Sequence, residues 1–335
     1  MKAFFKVISL MLLTKILSAA PFAYVTNYVA STISIFDVAT NTATGYVNNA
    51  GFNISNPIHV AHVPGGTTAY VVADSNNAVF VIDTSSNTIT SQLDSSVFPF
   101  NAPGVIAISP DGSKAYVVNE GGDNISIIDV LTNTITGYVN GDGLVCPVSV
   151  CFITDGTKAY VANYSSNTIA IIDTATDTTT GLVNNNGFVL SSPTFLGMVD
   201  NTKAYICSFN NSRVAIIDVS TDTITAYVND SGYPFAYPVW VSITSDFATG
   251  FIGDLVASNE SVINISTDTT TSYLSGGSLS FPIRSVVAPG NTTAYISNLG
   301  NNTVSIVDVA SGTITGVINS VLFPFNTPFT ISIPQ

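Results

Sequence analysis

Ser109-Pro110-Asp111-Gly112-Ser113-Lys114-Ala115-Tyr116-Val117-Val118-Asn119, continued by Ile125-Ser126-Ile127-Ile128-Asp129, is the stretch that decides the fold. Pro-Asp-Gly is a tight-turn signal, because Pro presets its own φ and Gly accepts the conformation other residues avoid. The runs on either side are β-branched or aromatic, which suits a pleated, buried surface. Moving outward, Val105–Ile108 is a further short run before the turn, and Thr134–Val139 follows Asn133. Four short strands within one repeat of about 45 residues are the mark of a propeller blade. The same unit recurs along the chain. Its Tyr stands at 24, 70, 116, 160, 205 and 295, with Phe251 in the remaining place. Thirteen residues after each comes Asp37, Asp83, Asp129, Asp173, Asp218, Asn264 or Asp308. A proline marks each unit in the same register: Pro57, Pro103, Pro147, Pro193, Pro238, Pro282 and Pro328. No segment has a helical period.

The ends imply closure. The chain enters at Ala23-Tyr24, the second strand of a unit, and the segment from Pro328 to Ile333 matches a first strand. The expected fold is therefore all-β: a seven-bladed propeller of four-stranded antiparallel blades. The C-terminal strand completes the N-terminal blade.

Tyr24-Val25-Thr26-Asn27, the 109–117 segment and the 125–129 segment resemble the YVTN-type β-propeller repeat family, and the resemblance runs through essentially all of the chain after its first twenty residues. It implies the propeller fold. Such repeats occur in surface-layer, periplasmic and secreted proteins, and related propellers include lactone-cleaving enzymes and cofactor-dependent dehydrogenase subunits. Fold alone does not assign one of these activities.

Residues 1–20 read as a signal peptide. Lys2 and Lys6 begin it, Val7–Leu13 is a short apolar run, and Ser18-Ala19-Ala20 supplies small residues for cleavage. Thr14 and Lys15 cut the apolar run short, so no stable membrane anchor is expected. Residues 21–335 then form one propeller domain of an exported protein, periplasmic or extracellular, expected to be a monomer. Without the leader, five basic residues face 21 acids. Nucleic-acid binding is largely phosphate neutralisation by Lys and Arg, so that partner class is excluded. Three cysteines without a CxxC read as small buried apolar side chains.

Most acids belong to turns, where an Asp side chain bonds nearby backbone amides. Eight remain: Asp74, Asp94, Glu120, Asp123, Asp142, Asp230, Asp254 and Glu260. All fall in second-to-third or fourth-to-first connections, which share one end of the ring, the top face. The fourth-to-first loops there are also rich in apolar residues. Phe98, Phe100, Tyr233, Phe235, Phe323 and Phe325 are the candidate partner-binding residues. Two positions after each proline come His59, Val105, Ser149, Phe195, Trp240, Arg284 and Thr330, near the channel entrance. A small ligand is expected against His59, Phe195, Trp240 and Arg284, with Asp254 placed to pair with Arg284 from the adjacent blade. His59 and His62 should face opposite ways on an extended strand, so no metal site is expected. No cofactor-attachment pattern such as CxxCH is present, so no cofactor is expected.

The favoured reading is an exported, non-catalytic binding or scaffolding propeller that holds a protein, peptide or glycan on its top face. The alternatives are a channel-mouth enzyme, lactonase-like hydrolase or lyase, and a surface-layer or adhesive structural protein. In the enzyme, Arg284 would bind an anionic group and Asp254 or His59 would act as base.

Overall fold

The computed structural model describes residues 22–274, 277 and 279–334; the expected leader lies outside them. Those residues hold 28 β-strands in seven four-stranded sheets. Blades 2 to 7 are each continuous in sequence, at 57–92, 103–138, 147–182, 193–227, 238–273 and 282–318. Blade 1 takes its three outer strands from 22–46 and its inner strand from Pro328–Ser332, which lies antiparallel to Phe22–Asn27. The seven inner strands neighbour one another around the axis.

Each inner strand begins at the recurring proline. Proline cannot donate to the ladder, so the first position of a strand is where it is tolerated. Just beyond it the register slips, for example between Pro57 and His59, Pro238 and Trp240, and Pro282 and Arg284. Such irregularities re-aim side chains, and these three residues all reach the channel. The middle two strands of each blade are buried almost throughout, because both faces pack on neighbouring blades; Lys114–Asn119 and Asn124–Asp129 show it. The outer strand, as at Thr134–Tyr138, alternates exposed and half-buried residues.

Three devices join each blade to the next. At the bottom, the repeat Tyr donates its hydroxyl to an Asn or Asp in the outer turn of the following blade. Tyr70 reaches Asn133 at 2.6 Å and Tyr295 reaches Asn41 at 2.5 Å; Tyr24 pairs likewise with Asn87, Tyr116 with Asp177, Tyr160 with Asp222 and Tyr205 with Asp268. Lys114, Lys158 and Lys203 reinforce the last three at 2.6, 2.8 and 2.9 Å. Such half-exposed ion pairs add about 0–1 kcal/mol each. At the top, a side chain in the second-to-third turn accepts the amide just before the next blade's proline: Asn77 from Ala102, Asp123 from Cys146, Asn167 from Ser192 and Asn302 from Thr327, at 2.6–2.8 Å. Between them lies an apolar core, where each fully buried aliphatic contributes about 1.5–3 kcal/mol.

The seam between blades 6 and 7 departs from this scheme in its clasp and its core. Phe251 stands where the clasping Tyr should be, and Gly312 where its Asn or Asp acceptor should be. Its top clamp, Phe281 N to Ser258 Oγ at 3.5 Å, is of the serine kind also found at Asn56 N–Ser31 Oγ and Tyr237 N–Ser212 Oγ, at 3.2 and 3.3 Å. In the core, Glu260 occupies the register filled elsewhere by Ile33, Val79, Ile125, Ile169, Val214 and Val304, all of them fully buried. Ser285 likewise takes a place held elsewhere by Val60, Ile106, Val150, Leu196, Val241 and Ile331. Glu260 is itself fully buried, and neither carboxyl oxygen has a hydrogen-bond partner among the described residues. The nearby Ser285 hydroxyl moderates its charge but is bonded to Ser242 Oγ at 2.7 Å. Burial pushes the Glu260 carboxyl up to about 8. Six buried apolar residues form the described core of this seam, against ten to fourteen at the others.

Candidate functional site: the channel bowl

At the +2 position of the inner strands, blades 5, 6, 7 and 2 supply Phe195, Trp240, Arg284 and His59. The structure brings these four together as a bar across the channel. The Phe195 and Trp240 ring centroids lie 4.2 Å apart. The Arg284 guanidinium carbon sits 3.8 Å from the Trp240 ring centroid, within cation–π range. Arg284 Nη1 then bonds His59 Nε2. Arginine has only donors, so His59 Nε2 accepts and the imidazole proton sits on Nδ1. Burial, with the neighbouring Arg284 charge, holds the His59 pKa well below its usual value, so the ring is neutral. Arg284 keeps some exposure and lines the channel cavities; enclosure by protein lowers its pKa to about 9, which leaves it charged at neutral pH.

Above the bar is a bowl of about 310 Å³ that opens to the top face. Its wall is mostly apolar, with Val105, Val148, Val239, Ile283 and Phe329 among its residues; Tyr164 and Glu120 stand at its rim. Below the bar a second chamber of about 330 Å³ leads to the opposite face, past His62, Cys151 and Ser332. His62 bonds Ser332 Oγ at 2.8 Å, packs on Tyr24 and, being buried, has its pKa lowered to about 4. Among the described residues no three metal-ligating side chains come together.

Asp254 is not part of the bar. It sits three residues after Phe251, where four other blades carry Asn27, Asn119, Asn163 and Asn298. Like those Asn side chains it ties a strand to a loop: Ser261 Oγ donates to it at 2.6 Å and the Ala236 amide at 3.1 Å. The expected Arg284–Asp254 pair is therefore not formed, since both carboxyl oxygens are engaged by blade 6 and the loop leading into it. Burial raises the Asp254 pKa to about 6.

The six loop aromatics divide. Phe100, Phe235 and Phe325 are buried in seam cores and present no surface to a partner. Phe98, Tyr233 and Phe323 pack edge-on against Tyr138, Tyr273 and Tyr46 of the next blade. The hydroxyls of those tyrosines bond the loop carbonyls of Pro99, Pro234 and Pro324 at 2.5, 2.6 and 3.0 Å. The loops nevertheless expose other apolar side chains around the bowl end: Val97, Val189, Phe281, Val321 and Leu322, with Val321 fully exposed and Leu322 at 81%. Of the remaining acids, Asp123 clamps Cys146 and Asp230 pairs with Arg213 at 3.2 Å. Glu120 faces the bowl with its carboxyl against Gly104, and burial plus the Asp74 charge raises its pKa. Sequence reasoning placed Glu120 on the top face but did not assign it to the cavity. The signal was available, because it follows the YVTN-type Asn119 directly.

No protein-family model matches the chain, and no curated protein matches it in sequence. Solved structures share its fold. A functionally unknown protein from Desulfotomaculum acetoxidans superposes with TM-score 0.74 at 16% identity, covering 94% of this chain and 99% of that one. A candidate 6-phosphogluconolactonase from Bacteroides uniformis gives 0.72 at 13%, covering 94% and 99%. Kuenenia stuttgartiensis hydrazine synthase gives 0.72 at 16%, covering 86% and 92%. At these identities the likeness defines the class, a seven-bladed β-propeller, and no activity.

Proposed function

We propose that this chain is an exported, non-catalytic binding propeller of the YVTN-repeat type, which receives its ligand or an apolar group of its partner in the top-face bowl. The observation that carries this reading is the bowl itself: about 310 Å³, walled mainly by aliphatic and aromatic side chains and floored by a few polar groups. That composition and size match small-molecule sites, which run from about 300 Å³ upward. The exposed apolar rim of Val97, Val321 and Leu322 fits a top-face contact with a larger partner. The binding role thus rests on the bowl and this rim and not on Phe100, Phe235 and Phe325. His59 Nε2, the atom a base would use, is occupied by Arg284, which favours binding over catalysis.

Trp240 is the only tryptophan, so intrinsic fluorescence reports on the bowl floor directly. Neutral apolar probes such as toluene or cyclohexanol should change that signal saturably, and Val148→Phe or Val239→Phe should block them. A signal that never saturates, or one indifferent to both blocking variants, refutes the bowl as the binding site.

A further inference from the structure

Resting on the bowl as the binding site, we infer that its ligand is an anion, an apolar-bodied carboxylate whose charged end lies on Arg284 and whose body fills the space above. Five basic residues lie in the described ring. Lys114, Lys158, Lys203 and Arg213 each pair with an aspartate. Arg284, the most enclosed of them, has no acidic partner among the described residues; its recorded polar side-chain partner is the neutral His59. A charge taken out of water without a counter-ion is strongly disfavoured. The carboxylate that sequence suggested for it, Asp254, is held elsewhere.

The donors around Arg284 point the same way. Arg284 Nε, His59 Nδ1 and Trp240 Nε1 are all buried and lack a protein partner among the described residues. Each can only donate in this protonation state. His59 is only 5% exposed. Three unfilled donors, one of them on a cation, thus cluster where Arg284 touches both Trp240 and His59 beside an apolar cavity, and the protein supplies no acceptor for them among the described residues. The electron-rich Trp240 face already serves the guanidinium, which leaves the edge of Arg284 for the carboxylate. A neutral ligand would leave the cation unpaired, and a small inorganic anion would leave the apolar wall unused. Glu120, the acid on the cavity wall, stands at the rim, where its charge opposes an incoming carboxylate, and the apolar wall below must supply the contacts that offset this.

Octanoate and its neutral counterpart octanamide test this through Trp240 fluorescence on the full chain. Charge-assisted hydrogen bonds to a buried partner predict that octanoate binds about ten- to a hundred-fold more tightly than octanamide. Arg284→Met, which keeps the apolar bulk, should abolish that preference while leaving octanamide binding within a few-fold; Arg284→Lys should retain part of it. Equal affinity for the two probes overturns the anionic class yet leaves the bowl standing as an apolar site. Octanoate preference that survives Arg284→Met overturns the assignment to Arg284. Failure of both probes to saturate overturns the inference together with the bowl. Inorganic phosphate binding as tightly as octanoate overturns the apolar-bodied part.

Discussion

Glu260 should make this ring less stable as the pH rises through neutrality. Its carboxyl is raised from 4.5 to about 8 by burial. The folded state therefore holds a proton that the unfolded chain has already released. The stabilisation is complete below the unfolded value of 4.5 and is lost as pH rises to about 8. Within that window each pH unit removes about 1.4 kcal/mol. Asp254 acts in the same sense between 3.8 and about 6. The two histidines act oppositely: folded values lowered from 6.5, to about 4 for His62 and well below 6.5 for His59, add stability as pH rises toward 6.5. Below pH 6.5 these contributions largely cancel. From pH 6.5 to 8 Glu260 acts nearly alone, so stability should fall by about 2 kcal/mol. For a chain of this length that corresponds to about 3 °C in Tm. Calorimetric melts at half-unit steps across this range, on the natural chain and on Glu260→Gln, measure it directly. Glu260→Gln should flatten the profile. Glu260→Val, which restores the aliphatic residue of the other six blades, should be the more stable protein at pH 8 by about 1–4 kcal/mol. A natural chain with no slope above pH 6.5, or a Glu260→Gln variant with the same slope, would refute the reasoning.

Phe251→Tyr with Gly312→Asn should install the missing seventh clasp; Gly312 has φ +61, where Asn at the equivalent turns is already accommodated. A double-mutant cycle should give a favourable coupling of about 0.5–1.5 kcal/mol, whereas Tyr alone should gain nothing. Phe235→Ala should cost about 3–5 kcal/mol in denaturant melts, because it empties a seam core, while Val321→Ser on the exposed rim should change stability by less than about 0.5 kcal/mol. Glu120→Gln should tighten octanoate binding a few-fold at low salt, with the gain fading as ionic strength screens the rim; unchanged affinity would place Glu120 outside the ligand's field.

The blades were legible because every repeat restates them. The Tyr, Asp and proline markers fall in one register around the ring, with only Phe251 and Asn264 departing from them, and β-branched and aromatic runs between turn residues mark the strands. The four residues of the bar were legible for the same reason: a position lying two residues after each proline must recur around one axis. Their chemistry was not, since the Arg284–His59 bond joins blades 7 and 2, with blade 1 between them. The fate of the loop aromatics was also hidden. Phe98 and Phe100 are two residues apart in one loop, yet one packs edge-on against Tyr138 and the other enters the core. Loops carry no hydrophobic period to separate such cases. Asp254 was readable and was misassigned: its register with Asn27 and Asn119 identifies a strand-to-loop tie, but its charge suggested an ion pair.

The closure of the ring by Pro328–Ser332 bears on how the molecule yields under load. Every seam is crossed by a short loop, so neighbouring blades stay tethered even when their faces part. Only inside blade 1, between the inner strand and Phe22–Asn27, do adjacent strands lack a direct chain connection. Blades 6 and 7 therefore stay joined along the chain even where their faces part. Unzipping the ladder in blade 1 turns a ring into an open arc. The sequence places its weakest packing where parting can be undone, and keeps a backbone ladder at the one joint where it cannot.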